Sequence, residues 1–239
     1  MRFDHRTAVV TGGAKGIGRA VAFELGAHGV EVVVLDVEKE ALDKTGEELK
    51  AAGYRAHTIV CDVADRESMD RALNEIFACV DKVDILINNA GIYRDNVMKF
   101  WLTDPDTWER RWRINVFGTM YMTRGILPGM LERRYGHIVN LGSVAGVYGN
   151  WDMVDYSATK GAVISFTKAL AKETAPYNVL VTAVSPGSIG EGTGPSELSF
   201  SGRHGSFEEC AELICFLASD NASYCSGQNY QVDGCRKRM

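Results

Sequence analysis

Two spacings of apolar residues alternate along the chain. Short apolar runs of strand length are separated by longer segments in which apolar residues recur with helical period. Two of these runs, residues 32–35 and 85–87, contain only Val, Leu and Ile, as expected for strands of a parallel sheet that is covered on both faces. The pattern predicts strands at residues 7–11, 31–36, 56–61, 85–88, 137–141, 180–184 and 228–232.

Helix candidates lie between these strands. They begin near Gly18, Lys39, Arg66, Asp106, Asp155 and Ser206. Strands that alternate with helices build a parallel sheet through βαβ crossovers. We therefore expect an α/β fold in a single domain over residues 1–239, with a doubly wound, Rossmann-type parallel sheet of seven strands and helices on both faces.

One stretch, residues 186–205, follows neither spacing and is rich in Gly and Ser. Its glycines raise the entropy cost of ordering the backbone, and only Ile189, Leu198 and Phe200 could pack over a ligand. We expect a short, mobile substrate loop at about residues 188–205. Its closure would depend on ligand contacts or on residues 235–239 of a neighbouring subunit.

Composition and charge exclude several classes of protein. The hydrophobic content of 46% and the charged content of 24% are typical of folded, soluble domains. A formal net charge of -5 and a pI near 5.6 argue against nucleic acid and anionic membranes as partners. Residues 1–7 are polar and residues 30–35 are too short an apolar run to cross a bilayer, so we expect a cytoplasmic protein. The six cysteines lack CxxC or His-paired spacing, which favours reduced thiols over disulfides or a metal site.

A glycine turn follows the first predicted strand. Residues 11–18 read Thr-Gly-Gly-Ala-Lys-Gly-Ile-Gly and run directly into a helical segment. Glycine permits a tight turn and a close approach of the backbone to a pyrophosphate, which the free N–H groups of a helix start stabilise. The spacing of Gly12, Gly16 and Gly18 differs from the commoner G-x-G-x-x-G, so the turn alone does not distinguish a phosphate site from an ordinary loop.

Asp36 closes the second predicted strand, about 20 residues beyond the glycine turn, where dinucleotide-binding proteins place an acid on the adenosine ribose. A carboxylate there accepts hydrogen bonds from the ribose hydroxyls and repels a 2′-phosphate, which favours NAD over NADP. Lys15 acts in the opposite direction, because a basic side chain in the turn could pair with that phosphate. The position of Asp36 at the strand end outweighs Lys15, so NAD is the expected cofactor.

Tyr156 and Lys160 lie at i and i+4 on a predicted helix, which places both side chains on one face. A phenol has a reference pKa near 10, and a nearby ammonium group favours the phenolate. We expect Lys160 to lower the pKa of Tyr156 and make it a usable acid/base. A lone Y-x3-K pair also occurs on ordinary surface helices.

With Ser143 upstream, these residues resemble the short-chain dehydrogenase/reductase family over essentially the whole chain. The resemblance is carried by the glycine turn of residues 11–18, by Asn-Asn-Ala-Gly at 88–91, by Asn115, by Ser143 at the family's spacing before Tyr156-x3-Lys160, and by Pro186-Gly187.

The resemblance implies an enzyme that moves a hydride between nicotinamide and a secondary alcohol or ketone. Ser143 and Tyr156 would hold the substrate oxygen and Tyr156 would carry the proton. Lys160 would bind the nicotinamide ribose, and Asn115 would hold a water that links Lys160 to solvent. The resemblance places the cofactor against Gly12, Lys15, Gly16, Ile17, Gly18, Asp36, Asp62, Val63, Asn89, Ala90, Gly91, Tyr156, Lys160, Pro186, Gly187 and Ile189.

The chain departs from the family after Pro186. Where members often place a threonine near the carboxamide, this chain has Glu191, and the nearest alternatives are Ser188 and Thr193. The loop that follows is also shorter than the family's lid. Members usually assemble as tetramers or dimers, so the resemblance implies a homotetramer or homodimer. The basic runs at residues 110–113 and 236–238 are interpreted as solvated charge.

Two other functions stay open. One is a non-catalytic NAD-binding module, suggested by the short loop and by Glu191. The other is a 3-oxoacyl thioester reductase that uses NADPH. The substrate is not identified by the sequence, which predicts a mixed apolar and aromatic pocket from Tyr93, Ala145, Val147, Tyr148 and Trp151.

Overall fold

The computed structural model describes residues 1–93 and 97–237. Within them the strands are β1 (Thr7–Thr11), β2 (Glu31–Asp36), β3 (Ala56–Val60), β4 (Ile85–Asn88), β5 (Gly136–Leu141), β6 (Val179–Pro186), β7 (Ile189–Gly190), β8 (Gly205–Ser206) and β9 (Asn229–Val232). The helices are α1 (Gly16–Ala27), α2 (Lys39–Ala51), α3 (Arg66–Cys79), α4 (Pro105–Trp112), α5 (Thr119–Arg133), α6 (Val144–Tyr148), α7 (Val154–Thr174) and α8 (Phe207–Leu217). A π-helical turn, Arg113–Gly118, joins α4 to α5.

The predicted sheet is confirmed. Its seven strands lie in the order β3-β2-β1-β4-β5-β6-β9, and every neighbouring pair is parallel. The direction of strand order reverses between β1 and β4, which opens a crevice at the carboxyl ends of these strands. In a doubly wound sheet this crevice is where ligands bind.

The core lies on both faces of the sheet, and the side chains of β1 show why. Ala8 and Val10 pack into one hydrophobic cluster with residues of α1, α2 and α8. Val9, between them, points to the other face and packs with residues of α3, α5 and α7. All five residues of β1 are buried. A strand of this kind must be apolar throughout, which is why the continuous apolar runs predicted the central strands correctly.

The boundaries differ from the predictions mainly where elements are short. The helix expected near Gly18 begins at Gly16, and the helix expected near Asp106 begins at Pro105, because Asp104 caps it by accepting from the Asp106 backbone N–H at 3.1 Å. The five-residue α6 and the two-residue β7 and β8 were not predicted. Elements of two to five residues are too short to show a period.

The segment after β6 is held by backbone pairing. β7 pairs with β8, Ser196 N–H donates to the Gly202 carbonyl at 2.9 Å, and His204 N–H donates to the Gly194 carbonyl at 2.8 Å. Lys237 N–H of the C-terminal tail donates to the Leu198 carbonyl at 3.0 Å. The chain's own tail therefore packs on this segment, and the dependence of loop closure on ligand contacts or on a neighbouring subunit's tail stays a prediction. Residues 238 and 239 lie outside the described residues.

Two properties of the described residues concern membranes, and disulfides and metals. None of their helices has the length and apolar character needed to cross a bilayer. Their six cysteines are all free thiols, and no three His, Cys, Asp or Glu side chains cluster among them as metal ligands would.

Candidate active site

A cavity of about 930 Å³ opens at the carboxyl ends of the strands. This volume is in the range of cofactor and small-molecule sites. Sixteen of the predicted site residues line it: Gly12, Lys15, Gly16, Ile17, Asp36, Asp62, Val63, Asn89, Ala90, Gly91, Ser143, Tyr156, Lys160, Pro186, Gly187 and Ile189. Gly18 and Asn115 stand behind this lining. The fold thus gathers residues spread over most of the chain into one site.

Two glycines of the turn are required by close contacts. Gly12 has φ +62°, and a Cβ there would lie 2.8 Å from the Cα of Ala90. A Cβ on Gly18 would lie 2.2 Å from the Gly12 carbonyl oxygen, so Gly18 acts by letting α1 pack on the turn. Lys15 is the N-cap residue of α1 and its side chain makes no capping hydrogen bond. The first N–H groups of α1 are therefore available to an anion.

The carboxylate of Asp36 is fixed between the glycine turn and the start of α2. One oxygen accepts from the Ala14 backbone N–H at 3.0 Å and the other from the Glu38 backbone N–H at 3.1 Å. Lys15 was expected to attract the 2′-phosphate that Asp36 repels. Its ammonium group is instead hydrogen-bonded to Glu38, and this bond raises the pKa of the ammonium. The positive charge of the turn is therefore paired within the protein.

Asn89 fixes the other side of the turn. Its side-chain NH2 donates to the carbonyl oxygens of Thr11 at 3.0 Å and Gly12 at 2.7 Å. Thr11 Oγ1 accepts from the backbone N–H groups of Asn89 and Ala90, each at 3.1 Å. This network joins the carboxyl ends of β1 and β4 at the crevice.

Ser143 and Tyr156 meet inside the cavity. Ser143 follows β5 and caps α6, where its hydroxyl accepts from the Ala145 backbone N–H at 3.1 Å. Tyr156 of α7 lines the same cavity, and the Ser143 hydroxyl lies near enough to lower the pKa of its phenol. Because α6 and α7 pack together, the serine of one helix start reaches the tyrosine of the other.

Lys160 lies one turn beyond Tyr156, as the i, i+4 spacing predicts. Its Nζ lies 6.0 Å from the centroid of the Tyr156 ring and donates to the Leu141 carbonyl at 2.7 Å. The ammonium group is also near the backbone at the end of β4, because a Cβ on Gly91 would lie 3.4 Å from Nζ. Lys160 therefore links the ends of β4 and β5 beside the tyrosine.

The expected lowering of the Tyr156 pKa by Lys160 is not what the structure shows. Burial raises the pKa of Tyr156, while the hydrogen bond from Ser143 and the charge of Arg111 lower it less. Burial lowers the pKa of Lys160 to about 8. Desolvation disfavours the charged form of both groups, so it acts in opposite directions on an acid and a base.

Asn115 lies in the π-helical turn and is fully buried. Its carboxamide accepts from the Ile92 backbone N–H at 2.9 Å and donates to the Ile92 carbonyl at 3.1 Å and to Thr159 Oγ1 at 3.1 Å. π-helical turns often mark functional positions. Asn115 here anchors the backbone next to Tyr93; the water expected at Asn115 stays a prediction.

The substrate side of the cavity differs from the sequence prediction. Of the expected pocket residues, Tyr93 and Ala145 line the cavity, and the Tyr93 ring lies 6.3 Å from the Tyr156 ring. Val147, Tyr148 and Trp151 do not line it, because α6 and the turn after it carry them outward. Leu198, expected to pack over a ligand, also lines the cavity, and the lining on this side that the sequence did not predict includes Ile92, Arg110, Ile114, Val144, Asn150, Met153, Phe207 and Arg236.

The position expected for the family threonine is also resolved. Glu191 and Thr193 are exposed. Ser188 lines the cavity, and its hydroxyl is hydrogen-bonded to His204 Nδ1 at 2.5 Å. Of the two alternatives, Ser188 is the hydroxyl that the fold brings to the site.

The basic runs are solvated only in part: Arg113 and Lys237 are exposed as predicted, whereas Arg111 is not. Arg111 is fully buried and pairs with Asp155 at 2.5 Å, directly before Tyr156. Arg110 and Arg236 line the cavity. Arg238 lies outside the described residues. The Arg111–Asp155 pair was not predicted, because its partners come from different helices.

Comparisons with known proteins agree with this geometry. The family model described as short chain dehydrogenase matches residues 6–197. A 3-oxoacyl-[acyl-carrier-protein] reductase of Aquifex aeolicus is 40% identical over 247 residues, with 98% of each chain covered. A 2-dehydro-3-deoxy-L-rhamnonate dehydrogenase (NAD(+)) of a Sphingomonas species is 38% identical over 245 residues, covering 98% of this chain and 96% of the relative.

A solved structure extends the likeness to three dimensions. L-sorbose reductase of Gluconobacter frateurii, in complex with NADPH and L-sorbose, superposes with a TM-score of 0.94 at 29% identity, over 100% of this chain and 99% of that one. The relatives thus include NAD and NADPH proteins. From its motifs, its sheet and these matches, the chain belongs to the short-chain dehydrogenase/reductase family of oxidoreductases.

Proposed function

We propose that this protein is an NAD-dependent oxidoreductase that transfers a hydride between nicotinamide and a secondary alcohol or ketone. The observation that carries the proposal is that Ser143, Tyr156 and Lys160 line the same cavity as the glycine turn, with Lys160 Nζ 6.0 Å from the centroid of the Tyr156 ring. A positioned proton donor beside a dinucleotide site is the arrangement that carbonyl reduction requires.

Each polar group has a distinct role in the proposed reaction. Ser143 holds the substrate oxygen by a hydrogen bond. Tyr156, which burial keeps protonated, donates its proton to that oxygen during reduction and receives one during oxidation. Lys160, fixed on the Leu141 carbonyl, orients the ribose of the cofactor and supplies positive charge beside the phenol. The bound nicotinamide supplies the hydride chemistry.

The residues present fit a dinucleotide. No side chain caps the first N–H groups of α1. Because Gly12 has no Cβ, the turn packs closely on Ala90 while Gly12 lines the cavity. Asp62 and Val63, which follow β3, line the cavity where the adenine is proposed to lie. Gly187 and Ile189 line it on the opposite side, where the carboxamide is proposed to lie.

The preference for NAD rests on charge. The carboxylate of Asp36 stands at the end of β2 in the cavity, and Glu38 neutralises Lys15. A 2′-phosphate at this position would face the carboxylates of Asp36 and Glu38, and the one basic side chain near it, Lys15, is already paired with Glu38. The dehydrogenase named for NAD(+) among the relatives supports this choice.

A turnover screen tests the proposal. Secondary alcohols are offered with NAD and with NADP, and ketones with NADH and with NADPH, over steroids, cyclic alcohols, sugars and 3-oxoacyl thioesters. We expect NAD-linked turnover of at least one class, followed by nicotinamide absorbance. Tight binding of NADH with no turnover in any class would instead favour a non-catalytic NAD-binding module.

The relatives favour a second candidate, a 3-oxoacyl thioester reductase that uses NADPH. The Aquifex reductase carries that name at 40% identity. The screen separates the two candidates by both substrate and cofactor. Preferred turnover of a 3-oxoacyl thioester with NADPH would select this second function and would make Lys15, released from Glu38, the residue that binds the phosphate.

The proposed enzyme acts as one unit over residues 1–239, with residues 188–205 as its substrate loop. Both hydrophobic clusters pack on the one sheet, which supports a single unit. We also propose a homotetramer or homodimer, supported by the partly exposed Phe117, Met120 and Tyr121 at the start of α5. Sedimentation of the purified protein measures that state, and a monomer at micromolar concentration would contradict it.

A further inference from the structure

The cavity contains a basic side chain that the proposed function does not use. Among the described residues, the basic side chains that line it are Lys15, Arg110, Lys160 and Arg236. Lys15 is paired with Glu38, Lys160 donates to the Leu141 carbonyl, and Arg110 makes contacts of its own. The Arg236 guanidinium has no hydrogen bond or ion pair within the described part of the chain.

Arg236 is held in place by its backbone. It forms an antiparallel bridge with Ser199, flanked by hydrogen bonds from Phe200 N–H to the Cys235 carbonyl at 2.9 Å and from Lys237 N–H to the Leu198 carbonyl at 3.0 Å. The two residues before it, Gly234 and Cys235, have φ +61° and +60°, so the chain turns sharply after β9. The side chain is partly buried, and it enters the cavity beside Leu198.

The topology places Arg236 on the substrate side. It follows β9, which pairs with β6, and β6 pairs with β5, after which Ser143 stands. The acid Asp36 ends β2 and the acid Asp62 follows β3, and both strands lie across the crevice between β1 and β4. The cavity therefore has acidic side chains at the proposed adenosine end and basic ones at the end where the substrate reacts.

We propose that Arg236 binds a carboxylate of the substrate, so that the enzyme acts on an oxo or hydroxy acid. This rests on the proposed oxidoreductase function and names its substrate class. A guanidinium presents two parallel N–H donors that match the two oxygens of a carboxylate. An arginine that lines a cavity and has no partner among the described residues can bind an anion, because solvent screens its charge less in the cavity than on the open surface.

Paired ligands and paired variants test the proposal. Short oxo acids of increasing chain length, their primary amides and a phosphorylated ketone are titrated into the enzyme–NADH complex, with NADH fluorescence as the readout. The variants are Arg236→Met and, as the control with the same change in charge, Lys237→Met. The Lys237 ammonium lies 5.5 Å from the Phe200 ring centroid and does not line the cavity.

We expect one of the acids to bind about tenfold or more tightly than its amide to the parent protein and to Lys237→Met. Arg236→Met should lose most of that difference while it binds the amides and NADH as before. Equal binding of acids and amides, an equal loss in both variants, or the absence of acid binding would overturn the proposal. Arg236-dependent binding of the phosphorylated ketone in preference to every acid would overturn the carboxylate assignment.

Turnover of the same ligands tests the carboxylate site separately from the oxidoreductase function on which it rests. Arg236-dependent binding of an acid without turnover in any class would leave the carboxylate site standing and remove the oxidoreductase function. Turnover of neutral ketones or of N-acetylcysteamine 3-oxoacyl thioesters, with no preference for acids, would support the function and overturn the role of Arg236.

Discussion

At the scale of single residues, burial acts in opposite directions on the two titratable groups of the site. It raises the pKa of Tyr156 and lowers that of Lys160 to about 8. At neutral pH the phenol is protonated and Lys160 carries most of its charge. In the proposed reaction, Tyr156 would therefore be ready to give a proton to a carbonyl oxygen, which is the direction of reduction.

The pH dependence of ketone reduction follows from these shifts. As the pH rises through about 8, Lys160 loses its proton while Tyr156 keeps its own, so the positive charge beside the phenol disappears. We expect kcat/KM for reduction to fall above about pH 8. Lys160→Arg, which stays charged in this range, should lose that decline if it folds and turns over. A parent profile that is flat well above pH 8 would contradict this account of Lys160.

The proposed preference for NAD assigns the choice of cofactor to Asp36. Asp36→Asn keeps the size of the side chain and removes the charge, so repulsion of a 2′-phosphate should weaken, while one of the two hydrogen bonds from backbone N–H groups is also lost. We expect the ratio of NADH to NADPH affinity to fall by about tenfold or more, measured by fluorescence titration. Asp43→Asn serves as the control, because Asp43 pairs with Lys39 on α2 and does not line the cavity. An unchanged ratio in Asp36→Asn would remove Asp36 from cofactor selection.

At the scale of elements, a buried ion pair joins α4 to α7. Arg111 has no exposed surface, and its partner Asp155 precedes Tyr156 at the start of α7. Breaking a buried pair leaves an uncompensated charge, whereas replacing both partners by apolar residues removes the desolvation cost as well. The pair thus fixes the end of the helix that carries the reactive tyrosine.

Asp155→Asn should therefore destabilise the fold by about 3–5 kcal/mol, measured by urea unfolding. The double variant Arg111→Met with Asp155→Leu should be less destabilised than Asp155→Asn alone, although both lose the same pair. A loss below about 0.5 kcal/mol for Asp155→Asn would place it among ordinary surface changes and contradict the role given to the pair.

The substrate loop offers a second test at this scale. The N–H groups of Ser196 and His204 are bonded within the loop, and that of Lys237 joins the tail to it. Hydrogen exchange of the free protein should be slower at these amides than at Gly192, whose N–H has no hydrogen-bond acceptor among the described residues. Truncation after Gly234 should speed exchange at Ser196 and His204. Equally fast exchange at all of these amides would show that the loop is mobile despite its pairing.

At the scale of the whole molecule, the sequence predicted the sheet because buried strands need apolar side chains on both faces. Local patterns indicated the glycine turn, Asp36 and the Tyr156–Lys160 pair, while the family resemblance supplied most of the other proposed site residues, and the fold brings most of them to one cavity. Residues brought together over long separations were not predictable in this way. The pairing of Arg236 with Ser199 and of Arg111 with Asp155 is decided by tertiary packing, as is the burial that shifts the pKa of Tyr156.

The same limit explains the errors on the substrate side. Val147, Tyr148 and Trp151 follow Ser143 closely in sequence, which placed them in the predicted pocket. The short α6 rotates them outward, and Tyr148 instead donates its hydroxyl to Gln231. A period cannot be recognised in five residues, so the direction of these side chains was not visible before the fold.

The central claim is that Tyr156 carries the proton during hydride transfer, and its most direct test is the turnover of Tyr156→Phe beside its affinity for NADH. With a substrate identified by the screen, kcat should fall by at least about 10²-fold while NADH binds as tightly as to the parent protein. Tyr148→Phe, which loses a hydroxyl outside the cavity, should retain full activity. Near-parental turnover by a folded Tyr156→Phe protein would contradict the account.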